Sequence, residues 1–268
     1  MVKKRILYVS QEITPYLPEN DLSKTSRFLP QAMNESGIDV RLFMPRFGCI
    51  NERRHQLHEV IRLSGMNLIV NDIDQPLIIK VASIPQARMQ VYFIDNEEYF
   101  KRKFTTEDKK GDFYSDNDER ALFFCRGVIE SVKKLGWSPD VIHCNGWMAS
   151  FLPMYLKKFY HDDPIFEKTK IVVSLYNQSF EGTLSDGLTD KLKFDGYTEE
   201  ELAGFEKVDY KKLAETAINY SDAVIKGSTE LDEDLLKLIE DSKLPTLEYS
   251  DGEYKEQYKP FYETLFEE

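Results

Sequence analysis

The chain has 268 residues, 41% of them hydrophobic and 31% charged, which fits one large globular domain or two small ones. Its formal net charge of −12 disfavours nucleic acid and anionic membranes as partners, because both repel a negative surface. No stretch approaches the roughly 18 apolar residues of a membrane-spanning helix. The N-terminus leads directly into a strand pattern, so the sequence predicts a cytoplasmic protein.

The first 45 residues have the pattern of a strand, a helix and a second strand. Residues 3–10 (KKRILYVS) turn from basic to apolar and β-branched, which predicts a buried parallel strand. A helix follows, with a capping residue at its start (Asn20, Asp21 or Ser23) and one buried face (Phe28, Leu29, Ala32 and Met33). Gly37 ends that helix, and residues 38–44 form the second strand. This order is typical of a doubly wound parallel sheet.

Residues 57–94 differ, because short alternating runs at 68–70, 77–82 and 89–94 are separated by turn signals. They predict a β-hairpin excursion from the sheet. The α/β alternation then resumes, with predicted helices at 118–135, 147–159, 210–219 and 229–240, and predicted strands at 140–143, 170–175 and 223–225. Residues 181–208 are predicted to form a loop. We expect one domain over residues 1–268, with 241–268 as a tail that docks an aromatic helix on the body.

The cysteines and histidines predict neither a disulfide framework nor a metal site. Cys49, Cys125 and Cys144 are few, odd in number and widely spaced, which favours reduced thiols. His55 and His58 are three residues apart, but nothing nearby completes a set of metal ligands. We therefore expect no metal and no cofactor.

Eight segments occur together in an order and spacing typical of one enzyme family. They are 4–15 (KRILYVSQEITP), 28–33 (FLPQAM), 39–48 (DVRLFMPRFG), 91–100 (VYFIDNEEYF), 118–124 (DERALFF), 139–153 (PDVIHCNGWMASFLP), 172–182 (VVSLYNQSFEG) and 220–229 (YSDAVIKGST). Through them, residues 3–235 resemble the bacterial and plant glycogen and starch synthases, glycosyltransferase family 5.

The resemblance implies a Rossmann-like α/β domain, one half of the GT-B fold. In this family the first domain mainly handles the growing α-1,4-glucan, and the second mainly binds ADP-glucose. The resemblance implies that the present sequence covers only the first of these halves.

The resemblance also implies that the donor-side residues of the family are replaced here. The family loop Lys-Thr-Gly-Gly aligns with residues 18–21 (PEND), so Pro18 stands in place of the lysine and Asn20 and Asp21 in place of the two glycines. The carboxylates of Glu19 and Asp21 would repel a diphosphate. Gly146 takes the place of the family aspartate, and Tyr176 the place of its histidine. We therefore predict no catalytic residue.

Six residues are the candidates for substrate binding: Glu12, Tyr16, Asn96, Trp147, Tyr176 and Asn177. Trp147 has two interpretations, a platform on which a sugar stacks or a hydrophobic anchor at the start of a helix. Asn177 is either a ligand or a turn-capping residue. His143 is predicted to be a satisfied histidine at a strand end.

The sequence thus predicts a noncatalytic relative of the synthases that binds an α-glucan or a partner protein through the acceptor side. The alternative is a glucosyltransferase that uses ADP-glucose or UDP-glucose, alone or with a separate donor-binding half. A third hypothesis is a structural or regulatory subunit, including a homo-oligomer, that pairs through the face where the second domain would pack.

Overall fold

Ten strands form one mixed sheet in the computed structural model, which describes residues 3–266. The strands are β1 (Arg5–Ser10), β2 (Asp39–Pro45), β3 (His58–Glu59), β4 (Met66–Val70), β5 (Ile73–Ile84), β6 (Met89–Asp95), β7 (Val141–Asn145), β8 (Lys170–Leu175), β9 (Ala223–Lys226) and β10 (Thr246–Leu247). Seven of them run parallel in the order β10-β9-β8-β7-β1-β2-β6. β5 pairs antiparallel with β6, and β3 and β4 pair with β5. The predicted α/β class, with a mostly parallel sheet and a hairpin excursion, is confirmed.

The helices connect the parallel strands in the expected alternation. They are α1 (Asp21–Glu35), α2 (Glu52–His55), α3 (Glu97–Phe100), α4 (Asn117–Leu135), α5 (Leu152–Phe159), α6 (Leu188–Asp195), α7 (Tyr210–Asn219), α8 (Glu233–Ser242) and α9 (Lys259–Phe266). β1 lies at the centre of the parallel part, where Tyr8 is paired with Leu42 on one side and His143 on the other. Its last five residues are buried, as its apolar pattern predicts.

Helix α1 differs from the prediction in the face that it buries. Leu29 and Met33 pack in the core, but Phe28 is 44% exposed, with the Arg27 guanidinium over its ring. Neighbouring residues on a helix point about 100° apart, so Phe28 and Leu29 cannot both face the sheet centre. The buried stripe therefore runs through Leu22, Leu29 and Met33.

Two further predictions were only partly right. The helix predicted at 147–159 is a 3-10 turn at Trp147–Ala149 followed by α5, which begins just before Pro153 because proline is tolerated only in the first turn. The loop predicted at 181–208 contains α6. Lys191 of α6 is ion-paired with Asp118 of α4, 73 residues away in the chain, so tertiary contacts hold this helix.

The chain after α8 returns to the sheet and then crosses it. β10 adds an edge strand, a π-helical turn spans Tyr254–Tyr258, and α9 follows directly. Tyr258 and Tyr262 are fully buried. Glu267 and Glu268, the end of the predicted tail, lie outside the described residues. Within residues 3–266, the helices are too short or too polar to cross a membrane.

Candidate functional site

A cavity of about 620 Å³ opens beside the carboxyl end of β1. This is the edge of an open α/β sheet at which ligands usually bind. Three stretches of chain form its walls: the loop after β1, the turn after β2, and the loop that follows α3. The lining residues are Glu12, Tyr16, Leu17, Pro18, Asn20, Cys49 and residues 103–108. We call it the β1 cavity.

Glu12 and Asn20 form a hydrogen-bonded pair in the wall of the β1 cavity. The Asn20 side-chain amide donates to Glu12 Oε2 at 2.6 Å. The same side chain caps helix α1, since its Oδ1 accepts from the backbone N–H of Ser23 at 2.7 Å. Ser23 Oγ in turn accepts from the Asn20 backbone N–H at 3.0 Å, which completes a capping box. The helix end that aligns with the family phosphate loop is therefore occupied by the protein's own side chains.

Tyr16 lines the same cavity but is held mainly by packing. Its ring meets the rings of Phe93 and His55 edge to face, with centroids 4.9 and 5.0 Å apart. The hydroxyl has no hydrogen-bond partner among the described residues. Burial raises the pKa of Tyr16 to about 12, so the phenol stays neutral at physiological pH.

The loop at 103–108 contributes residues to the β1 cavity that were not among the six candidates for substrate binding. Phe104 is 41% exposed and lines the β1 cavity, next to the hydroxyls of Thr105 and Thr106. The stretch is polar and lacks periodicity, so no pattern marked it. Phe104 is the one aromatic residue in this loop, and it was the only feature of the sequence that could have indicated a binding residue here.

Gly146, at the position of the family aspartate, has no room for a side chain. Its φ is +85°, and a Cβ atom there would lie 2.7 Å from Leu22 Cδ1 and 2.8 Å from Gln11 Cβ. Gln11 is itself held, because its Oε1 accepts from the backbone N–H of Met148 at 3.2 Å. The surrounding packing, as well as the residue type, excludes a carboxylate at this position.

Tyr176, at the position of the family histidine, points into the protein. It is 1% exposed, and its hydroxyl donates to Asn145 Oδ1 at 2.9 Å. Its ring lies against Gly227, where a Cβ atom would come within 2.4 Å of the ring. Burial raises the pKa of this phenol well above its ordinary value. The side chain is thus part of the core and does not line the β1 cavity.

The other three candidates also lie away from the β1 cavity. Trp147 is 3% exposed and packs against Phe113 and Phe180, with ring centroids 5.7 and 5.1 Å away, as a hydrophobic anchor does. The Asn177 amide donates to the Glu230 carbonyl, and its oxygen accepts from the Asp232 backbone N–H at 3.1 Å. Asn177 thereby joins two loops.

Asn96 is 1% exposed and caps helix α3, accepting from the backbone N–H of Tyr99 at 3.0 Å. Its amide donates to Gln75 Oε1 and to the Pro76 carbonyl, both at 3.0 Å. The structure thus brings together Glu12 and Tyr16 of the six candidates. Among residues 3–266, no three His, Cys, Asp or Glu side chains are arranged to hold a metal ion.

Comparisons with known proteins agree with this architecture. The family model for the starch synthase catalytic domain matches residues 5–244. The glycogen synthase of Chlorobium luteolum is 38% identical over 189 residues, which is 70% of this chain and 39% of that protein. The glycogen synthase of Chlorobaculum parvum is 35% identical over 229 residues, covering 84% of this chain and 46% of that protein.

A solved structure has the same fold. It is the catalytic domain of starch synthase IV from Arabidopsis thaliana bound to ADP and acarbose, with a TM-score of 0.69 at 18% identity. The match covers 84% of this chain and 45% of that one. The chain therefore spans less than half the length of these relatives. It belongs to the starch synthase catalytic domain family, glycosyltransferase family 5.

Proposed function

We propose that this chain is a noncatalytic member of the family that binds an α-glucan in the β1 cavity. The observation that carries the proposal is a contrast between two sets of positions. The β1 cavity is open and lined by hydrogen-bonding groups, whereas Gly146, at the position of the family aspartate, has no room for a side chain and Tyr176, at that of the family histidine, is buried.

The lining of the β1 cavity suits a neutral sugar. The Glu12 carboxylate accepts hydrogen bonds from hydroxyl groups, and the Asn20 amide holds that carboxylate in place. The exposed ring of Phe104 offers an apolar surface on which the C–H face of a glucose unit can pack. A ligand of this kind needs no charge compensation, which fits a protein with a net charge of −12.

The donor side lacks the features that glucosyl transfer requires. Transfer from a nucleotide sugar depends on stabilising phosphate charge and on placing the sugar precisely. Here Asn20 caps the helix end, Gly146 cannot carry a carboxylate, and Tyr176 is turned into the core. The Arabidopsis domain binds ADP and acarbose, a nucleotide and an oligosaccharide. Of these two ligands, we propose that this chain binds only the carbohydrate.

Affinity electrophoresis in gels that contain glycogen tests the binding, with isothermal titration of maltoheptaose for the affinity. We expect retardation of the protein and a weaker effect for Glu12→Gln. Migration equal to that in a glycogen-free gel would overturn glucan binding. Transfer of glucose from ADP-glucose or UDP-glucose to a glucan primer would instead establish the glucosyltransferase alternative.

We place the protein in the cytoplasm, in line with its three free cysteines.

A further inference from the structure

The chain connections leave one face of the parallel sheet short of helices. The step from β1 to β2 through α1 runs in one direction along the sheet. The steps that lead to β7, β8, β9 and β10, through α4, α5, α7 and α8, run in the opposite direction. Crossovers between parallel strands are right-handed, so α1 lies on one face and these four helices on the other. On the α1 side, residues 5–244 therefore provide no helix to cover β7 and β8.

Residues 249–266 cover that bare face, and we call them the strap. They lie beyond the residues that the family model matches. Their helical part packs on α1 and β7 and buries Tyr258 and Tyr262 completely. On the outer side, Lys255 Nζ forms an ion pair with Glu35 Oε2 of α1 at 2.8 Å. The strap is thus attached to the body by two tyrosines inside and an exposed ion pair outside.

The surface beneath the strap is polar for a protein interior. Tyr262 Oη lies 2.7 Å from His143 Nδ1, and His143 Nε2 lies 2.6 Å from Ser174 Oγ. The hydroxyls of Ser10 and Tyr258 are buried and have no hydrogen-bond partner in residues 3–266. Buried polar groups without partners oppose burial, whereas in contact with water they would be satisfied. Docking of the strap is therefore less favourable than docking of an equally large apolar helix.

The strap also covers the side chains between the first turns of α1 and the end of β8. Tyr254 lies beside Thr25 in the first turns of α1, and Tyr249 beside Thr229, just after β9. Tyr176, at the position of the family histidine, lies beneath Tyr254 and Tyr258. With the strap docked, a ligand or another chain cannot approach these side chains from the α1 face, because Tyr176 and Thr25 are 1% and 4% exposed.

We propose that the strap is a releasable intramolecular cover that shields the Thr25–Tyr176 face from ligands and from other chains. Its release uncovers a surface rich in hydroxyl groups without unfolding the sheet. The face is held closed by the Tyr262–His143 contact, which joins the strap to the central strands. This inference is independent of glucan binding in the β1 cavity.

Hydrogen exchange on the full chain tests the release, by comparing amides of residues 254–266 with those of α4. We expect the strap amides to exchange faster than α4, because local opening precedes global unfolding. Tyr262→Phe removes only the hydroxyl at His143 and should accelerate strap exchange about 5- to 10-fold, with no change in α4. The control Glu256→Gln alters an exposed strap residue that has no ion pair within residues 3–266 and should leave both rates unchanged. Equal exchange of strap and α4, responding together to Tyr262→Phe, would overturn the proposal.

Thiol labelling tests the shielding. In a Thr25→Cys variant, the native and exposed Cys49 serves as an internal reference for maleimide reaction. We expect the new thiol to react more slowly than Cys49, and Tyr262→Phe to accelerate only the slower reaction. If both thiols react at the same rate while the strap is intact, the strap shields nothing and the proposal fails.

Discussion

Leu22 of α1 occupies the space into which a side chain on Gly146 would extend, since a Cβ there would lie 2.7 Å from Leu22 Cδ1. The contact joins the helix after β1 to the turn after β7, two elements that meet at the carboxyl edge of the sheet. The packing of α1 against the turn after β7 therefore leaves no space for an aspartate at position 146. Restoring it would require the neighbouring residues to move.

The variant Gly146→Asp tests this packing. We expect it to lower the free energy of unfolding by about 3 kcal/mol or more, since overpacking adds to the strain of a positive φ. Gly37→Asp is the matched control, because Gly37 also has a positive φ (+92°) but nothing within 4 Å of its Cβ position. That control should lose only about 1–2 kcal/mol. Urea unfolding measures both, and equal losses would contradict the steric explanation.

Phe104→Ala tests the aromatic contribution to glucan binding. Removing the ring should weaken maltoheptaose binding about 5- to 10-fold, because aromatic contacts contribute on the order of 1 kcal/mol. Phe194→Ala is the control, as Phe194 is 52% exposed and does not line the β1 cavity. Neither change should alter stability greatly, since both rings are exposed. Equal affinities for the two variants in calorimetry would remove Phe104 from the site.

The fold was predictable because hydrophobic periodicity reports directly on buried strands and helices. The strand at 170–175 and the helix at 210–219 coincide with β8 and α7 to the residue. Helix α6 was missed because its stability comes from a contact with α4 that no local pattern encodes. Element boundaries also shifted, as at Pro153, where backbone chemistry overrode the apolar pattern.

The candidate site was less predictable than the fold. Aligned motifs identify which residue type stands at a position but not which way its side chain points. Tyr176 and Asn96 are at motif positions, yet their polar atoms are bonded within the protein. Phe104 carries no motif and lines the β1 cavity, because the loop after α3 folds back towards the end of β1. Side-chain direction and loop position are tertiary properties.

His143 predicts a pH dependence of stability. Burial lowers its pKa to about 3, compared with about 6.5 in an unfolded chain. Between these values the unfolded chain binds a proton that the folded protein does not. The contribution of His143 is therefore complete above pH 6.5 and is lost as the pH falls, by at most about 1.4 kcal/mol per pH unit.

The variant His143→Gln should lack this component, whatever its stability at pH 7. Urea unfolding of both proteins at pH 7, 6, 5 and 4.5 gives the comparison. We expect the wild-type free energy of unfolding to fall more steeply below pH 6.5 than that of the variant. Parallel curves would show that the folded protein protonates His143 as readily as the unfolded chain does.

The ion pairs of Lys191 are the basis of the last prediction. Its Nζ lies 2.7 Å from Asp118 Oδ2 and 2.8 Å from Glu119 Oε1, and the lysine itself is only 9% exposed. Burial raises the pKa of Asp118, a fully buried carboxyl. Lys191→Met leaves this carboxylate uncompensated, so we expect a loss of about 3–5 kcal/mol in the free energy of unfolding at pH 7.

A second substitution separates the ion pair from other effects of the change. In Lys191→Met with Asp118→Leu, the buried charge is gone, so most of the lost stability should return. Lys211→Met is the control, because Lys211 forms an exposed pair with Asp234, and such pairs contribute little. If the double variant is as unstable as Lys191→Met alone, packing of the lysine stem, rather than the uncompensated carboxylate, explains the loss.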